Sequence, residues 1–162
     1  MAITQAVANS FKGQLLQGQH NFTAATGNVF KLALYTSAAT LDSSTTIYTS
    51  TNEVANTGQY VTGGGVLTNV SPVVSSGVAF IDFADISFTG VTLTARGALI
   101  YNTSNTNAAV CVLDFGADKT ATSGTFTIQF PADTTSAAIL ESATRNRSNL
   151  LWQVLGMKVT GV

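Results

Sequence analysis

Charge is what this sequence has least of. Asp, Glu, Lys and Arg make up 9% of its 162 residues, where a soluble domain ordinarily carries about 25%. Seven basic residues against eight acidic ones leave a net charge of -1, and the basic ones are scattered from Lys12 to Lys158. Without a basic stripe there is nothing to draw a phosphate backbone, so nucleic acid is not an expected partner. Cysteine occurs once, at Cys111, which rules out an internal disulfide; inside "AVCVLDF" it reads as a small buried hydrophobe. Histidine also occurs once, at His20. A zinc site built from several His and Cys ligands therefore cannot be assembled. A nucleophile–histidine pair would have to use His20, which follows a helical pattern with no nucleophile motif beside it and reads as a linker or cap residue. No G-x-S-x-G is present. Proline is confined to Pro72 and Pro131, and apolar residues are too plentiful for disorder. No window reaches the roughly 18 apolar residues of a membrane helix, and "MAITQAVANSF" lacks the cationic start and apolar run of a secretory leader, so no membrane is expected as a partner. The sequons at Asn21, Asn69, Asn102 and Asn146 are the chance product of a chain rich in Asn, Ser and Thr.

Against these absences stands a 45% hydrophobic content, ample for one core at this length. Polar surface has to come from Thr, Ser and Asn, which cost less to desolvate than ions when a neighbouring subunit covers them.

The pattern along the chain changes twice. In "ITQAVANSFKGQLLQ", Ile3, Val7, Phe11 and Leu15 recur every four residues, which predicts an amphipathic helix over residues 3–17, stopped at Gly18. From Val29 the period becomes two, with Phe30, Leu32 and Leu34 on one strand face and Lys31, Ala33 and Tyr35 on the other. A long Thr/Ser/Gly stretch follows, with short extended pieces at 47–49 and 60–62. Its Gly63–Gly65 run reads as a bulge or hairpin turn rather than a phosphate cradle, since strand-like residues follow it. Strands are predicted in "VAFIDFADISF", "TLTARGALIYN" and "AAVCVLDF", as an antiparallel meander. Another is predicted in "GTFTIQFP", with Phe126, Ile128 and Phe130 inward before Pro131 ends it. The fold expected is mainly β: an antiparallel β-sandwich, of which a jelly roll is one form, with an N-terminal amphipathic helix. Its parts are a helix or arm over 1–20, the sandwich over 21–138 and a C-terminal arm over 139–162.

Arg96 stands alone in "TLTARGALIYN", on the strand face with Thr92 and Thr94. Gly97 leaves a gap on the opposite face that an aromatic side chain from an adjoining strand can fill. A guanidinium on a partly covered sheet wants a carboxylate, and Asp82 or Asp85 on the preceding strand is the expected partner. Asp82, Asp85, Asp114 and Asp118 match no calcium-loop spacing and read as turn-capping residues. With Glu53 and Glu141 the only glutamates beside six aspartates, nothing singles out a glycosidase pair.

The segments "MAITQAVANSFKGQLLQGQHNFT", "KLALYTSAATLD", "TNEVANTG", "TARGALIYN" and "VLDFGADKTATSGTFTIQFP" together resemble a family of small virion structural proteins of tailed bacteriophages. The likeness runs over about residues 1–133, and beyond Ile139 the chain departs from the endings of that family. The resemblance implies a virion component, made in the host cytoplasm, with no catalytic residues and no cofactor. Its expected role is capsid decoration or cement, with copies of itself and other virion proteins, chiefly the major capsid protein, as partners. A tail or neck component is the alternative, as a ring or tube subunit or a fibre-attachment module, and a glycan-binding β module stands third. The residues expected at the interface are Ile3, Val7, Phe11 and Leu15 of the helical stripe, together with Arg96.

Overall fold

The computed structural model describes residues 2–131, 140–145, 149–153 and 158–161. Among the described residues the chain is mainly β, in two antiparallel sheets with one short helix. In order the elements are β1 (Ala6–Val7), α1 (Asn9–Leu16), β2 (Phe30–Tyr35), β3 (Gly65–Val66), β4 (Asn69–Ser75), β5 (Val78–Phe83), β6 (Ile86–Asn102), β7 (Ala108–Gln129), β8 (Leu140–Arg145), β9 (Asn149–Gln153) and β10 (Lys158–Gly161). The larger sheet runs β1-β7-β6-β2-β3, with β10 also on β7, and the smaller runs β4-β5-β8-β9.

The long hairpin of β6 and β7 forms the spine. The segments "AAVCVLDF" and "GTFTIQFP", expected as two strands, are the two ends of the single 22-residue β7. Register shifts along the pairing with β6 absorb the punctuation that reads as turns in the sequence. The alternation itself is as the pattern dictates: Phe126, Ile128 and Phe130 are buried while Gln129 is exposed. Towards Asn102 the alternation stops, because Ala98 and Ile100 are as buried as Leu99 and Tyr101. There the sheet is covered on both faces, and its strands become continuously apolar.

"VAFIDFADISF" is divided between the sheets at Ala84–Asp85. Residues Val78–Phe83 pair with β4 and β8, whereas Ile86 onward pairs with β7. At the crossing, the Asp85 carboxylate accepts the Phe130 N–H at 2.9 Å. An aromatic cluster ties the two sheets together. Phe22 stacks on Phe30 of β2 with centroids 4.4 Å apart, and Phe83 of β5 meets Phe30 at 5.6 Å and Phe130 at 5.9 Å.

The N-terminus differs from the expected helix over 3–17, since α1 spans only Asn9–Leu16. Ile3 forms a parallel bridge to Leu41, and Ala6–Val7 pair with Val112 and Cys111 of β7. Ala8, extended at φ -61 and ψ 134, is the hinge between strand and helix. Ile3, Val7, Ala8 and Phe11 all belong to the hydrophobic core. The gap over Gly97 is filled, but by Ile3 rather than by an aromatic: a Cβ built on Gly97 would lie 2.8 Å from Ile3 Cγ2 and 2.5 Å from the Leu113 carbonyl oxygen. The N-terminal segment is thus a layer of the core, and cutting off residues 1–17 would uncover β7.

Candidate functional site

Three polar arrangements and one groove are the places where this chain concentrates chemistry. The first is centred on Glu53, which bridges to the end of β2 at Tyr35. Its carboxylate accepts the Tyr48 hydroxyl at 2.6 Å, the Tyr60 hydroxyl at 2.7 Å and the Gly63 N–H at 2.7 Å. Tyr101 of β6 stacks on Tyr48 with centroids 4.6 Å apart and donates to the Gly63 carbonyl at 2.6 Å. Tyr35 donates to the Thr49 carbonyl, and the Tyr60 oxygen accepts the Leu34 N–H at 2.8 Å. All four tyrosines of the chain therefore converge on this region. Burial, reinforced by the Glu53 charge, raises every one of these phenol pKa values, Tyr101 to about 12. Held in the protonated form, these phenols serve as hydrogen-bond donors in the cluster. The cluster is a clasp that pins the Thr/Ser/Gly-rich segment between β2 and β3 onto the sheet, and nothing in the sequence pattern singles it out.

The second arrangement is a chain of amides around His20, which is buried rather than lying in an open linker. Asn102 Nδ2 lies 3.0 Å from His20 Nδ1 and donates to Asn28 Oδ1 at 3.0 Å, while Asn102 Oδ1 accepts the Ser104 N–H at 2.9 Å. Those last two bonds fix the Asn102 amide, so Nδ1 must accept, and Nε2–H is left to donate to Gln14 Oε1 at 3.0 Å. The neutral ring thereby ties α1 to β6. Burial lowers its pKa from 6.5 to about 4. Because the folded value lies below the unfolded one, the unfolded chain takes up the extra proton as pH falls from 6.5 towards 4. Stability contributed by His20 is complete above pH 6.5 and is lost across that window. Urea unfolding should show a loss of about 2–3 kcal/mol between pH 7 and pH 4 that is missing from His20→Gln. Equal losses in both proteins would contradict this.

Third, Arg96 is paired with neither Asp82 nor Asp85. Its Nε donates to Asp114 Oδ1 at 3.2 Å, and the same oxygen accepts the Gly116 N–H at 2.9 Å. The reason is the sheet division: β6 lies between β7 and β2, with Asp114 opposite Gly97, whereas Asp82 belongs to the other sheet. The side chains are 34% and 26% exposed, so the pair contributes no more than about 1 kcal/mol. The contact is structural. Cys111 is fully buried, and burial pushes its thiol pKa up.

The groove lies between α1, the link after it and the smaller sheet. It has a volume of about 450 Å³ and is walled by Phe11, Leu15, Phe22, Pro72, Phe80 and Ile81, among others. Of the residues expected at an interface, Ile3, Val7 and Phe11 are buried in the chain's own core. Leu15 is partly buried and lines the groove, while Leu16 is 87% exposed. The structure thus does not assemble the stripe as a free face. Among the described residues, no three His, Cys, Asp or Glu side chains are gathered to hold a metal, and no helix is long and apolar enough to cross a membrane. In comparisons with known proteins, the chain matches no family model, no curated protein and no solved structure.

Proposed function

We propose that the chain is a structural subunit of a tailed-bacteriophage virion, a capsid decoration or cement protein that acts by contact and not by turnover. In this reading the two antiparallel sheets close on their shared aromatic cluster as a sandwich, consistent with Phe30 and Phe83 meeting across it at 5.6 Å. The motifs quoted from residues 1–133 support the virion assignment.

The observation that carries the proposal is the outer face of the β6–β7 hairpin. Ser87, Thr89, Thr92 and Thr94 are exposed along β6, and Thr120 and Thr122 along β7. Two hydroxyl pairs bond across the strands, Ser87 to Thr127 at 2.8 Å and Thr94 to Thr120 at 2.9 Å, and the Thr92 hydroxyl accepts the Ser123 N–H at 2.9 Å. Hydroxyls that are already partnered lose little when a neighbour displaces their water, whereas solvated ions would lose much. Many copies of such a contact add up on a lattice.

Copy number provides the test. Quantitative mass spectrometry of purified virions should find this chain at a capsomer-scale multiple relative to the major capsid protein. A small ring stoichiometry would place it in the tail or neck instead, and its absence from virions would end the proposal.

A further inference from the structure

Tyr48 and Tyr101 belong to distant parts of the chain, one in the Thr/Ser/Gly-rich segment and one in β6. Their rings nevertheless stack, with centroids 4.6 Å apart and planes 17° from parallel. Tyr101 is buried, whereas Tyr48 is half-buried and open to solvent on one side. The Tyr48 hydroxyl donates to Glu53 Oε2 at 2.6 Å. A phenol that burial keeps protonated must shed its proton as it loses an electron. Electron loss is therefore easiest where a base already holds the hydroxyl hydrogen, and the Glu53 carboxylate is such a base. Tyr60 shares that carboxylate but is fully buried and packs edge-on against Phe88, while Tyr35 donates to the Thr49 carbonyl, a far weaker base.

We propose that Tyr48 and Tyr101 form an oxidative cross-linking site, which one-electron oxidants of the peroxyl-radical class convert to a dityrosine bridge. This chemistry needs only the folded chain and does not rest on the virion reading. A first peroxyl radical takes an electron from Tyr48; the phenol proton passes to Glu53 and on to the peroxyl anion, leaving a hydroperoxide and a neutral phenoxyl. A second peroxyl radical takes an electron from Tyr101 across the stacked rings. Its proton leaves by the half-exposed Gly63 turn, whose carbonyl the Tyr101 hydroxyl already meets at 2.6 Å, and completes a second hydroperoxide. Tilting of Tyr48 from its open side then lets one ortho carbon of each ring join, and the two displaced ortho hydrogens move to the oxygens to restore both phenols. Two phenols and two peroxyl radicals thus give one biphenol and two hydroperoxides. The stack holds the partner ring in contact, so coupling within the chain outruns coupling between chains. By tying residue 48 to residue 101, the bridge staples the segment between β2 and β3 to the spine and restrains the unfolded chain.

Treatment of the dilute, folded chain with an azo initiator that releases peroxyl radicals tests it. Wild type should give a single-chain product lighter by two hydrogens, with dityrosine fluorescence, and peptide mapping should join Tyr48 to Tyr101. Tyr48→Phe and Tyr101→Phe should each abolish that product, and Glu53→Gln should slow it about tenfold or more. Tyr60→Phe keeps both the stack and the carboxylate and should still form the bridge. Phenylalanine preserves each ring, and a cooperative thermal melt before treatment shows that a variant is folded. Bridged wild type should unfold at a higher urea concentration than untreated protein. A dityrosine mapped to other positions or found only between chains overturns the inference. So does oxidation that settles on Trp152 with no dityrosine, or an undiminished rate in Glu53→Gln.

Discussion

Glu53→Ala should lower the unfolding free energy by about 3–4 kcal/mol, measured by urea denaturation at neutral pH. Three donors lose their acceptor at once: the hydroxyls of Tyr48 and Tyr60 and the Gly63 N–H. Tyr60 is fully buried and cannot turn to water, and a buried donor left without a partner costs about 1–3 kcal/mol. Bonds to an ionised acceptor are stronger than neutral ones, which raises the sum. Glu53→Gln keeps one carbonyl oxygen and should lose about half as much, while Tyr48→Phe removes one bond at a half-exposed site and should cost about 1 kcal/mol. The loss should be local as well as global. With the clasp open, the segment between β2 and β3 should become the first site of limited proteolysis, because its few buried apolar anchors, Ala39, Leu41, Val54 and Tyr60, do not hold it alone. A Glu53→Ala protein within about 1 kcal/mol of wild type, with unchanged cleavage, would show that the phenols find other acceptors.

Gly64→Ala should be harsher still, at about 4 kcal/mol or more, enough to deplete the folded protein on expression at about 37 °C. Gly64 has φ +73, where a side chain is strained, and a Cβ there would lie 1.9 Å from the Leu32 carbonyl oxygen and 2.7 Å from Ala33 Cα. Those atoms belong to the backbone of β2, so no rotamer change relieves the collision. Either β3 must leave β2, breaking the pairing of Lys31 with Val66 and Leu32 with Gly65, or β2 must shift against β6. Neighbouring Gly63 presents its N–H to Glu53, so the turn and the clasp should fail together. If so, Gly64→Ala combined with Glu53→Ala should cost clearly less than the sum of the two single changes. An alanine protein that melts within a few degrees of wild type would contradict this geometry.

What the sequence reveals and what it hides follow one physical division. Facing within a strand is local, so Phe126, Ile128 and Phe130 could be placed inward from their alternation, and Cys111 could be recognised as buried from its apolar flanks. The pattern points to a helix over 3–17, longer than the observed Asn9–Leu16, for a reason of arithmetic. Residues four apart share a face in a strand, where four is two periods, as well as in a helix, where it is close to one turn. The step from Ile3 to Val7 is therefore the same signal for β1 and its lead-in as for α1. The partner of Arg96 was not legible because it depends on which strands lie side by side. The crossing from one sheet to the other at Ala84–Asp85 is made by two ordinary residues and carries no Gly or Pro mark. The Glu53 clasp gathers tyrosines from positions 35 to 101, a convergence that exists only in three dimensions. The one available hint was a lone glutamate within a long acid-poor, hydroxyl-rich stretch.

These features bear on function through rigidity. A long Thr/Ser/Gly segment would ordinarily be a mobile loop, costly to order on binding. Clamped by Glu53 and four phenols, it is ordered beforehand, and so is the hydroxyl face of the β6–β7 hairpin, fixed by its own cross-strand bonds. A pre-ordered surface with few ions suits permanent contact with neighbours better than turnover of a substrate.

The most direct measurement is cryo-electron imaging of purified virions at a resolution that locates this chain. A regular array of copies on the capsid is expected, with neighbouring protein covering the Ser87–Thr127 face. Virions without the chain, or copies held with that face bare to solvent, would contradict the proposal.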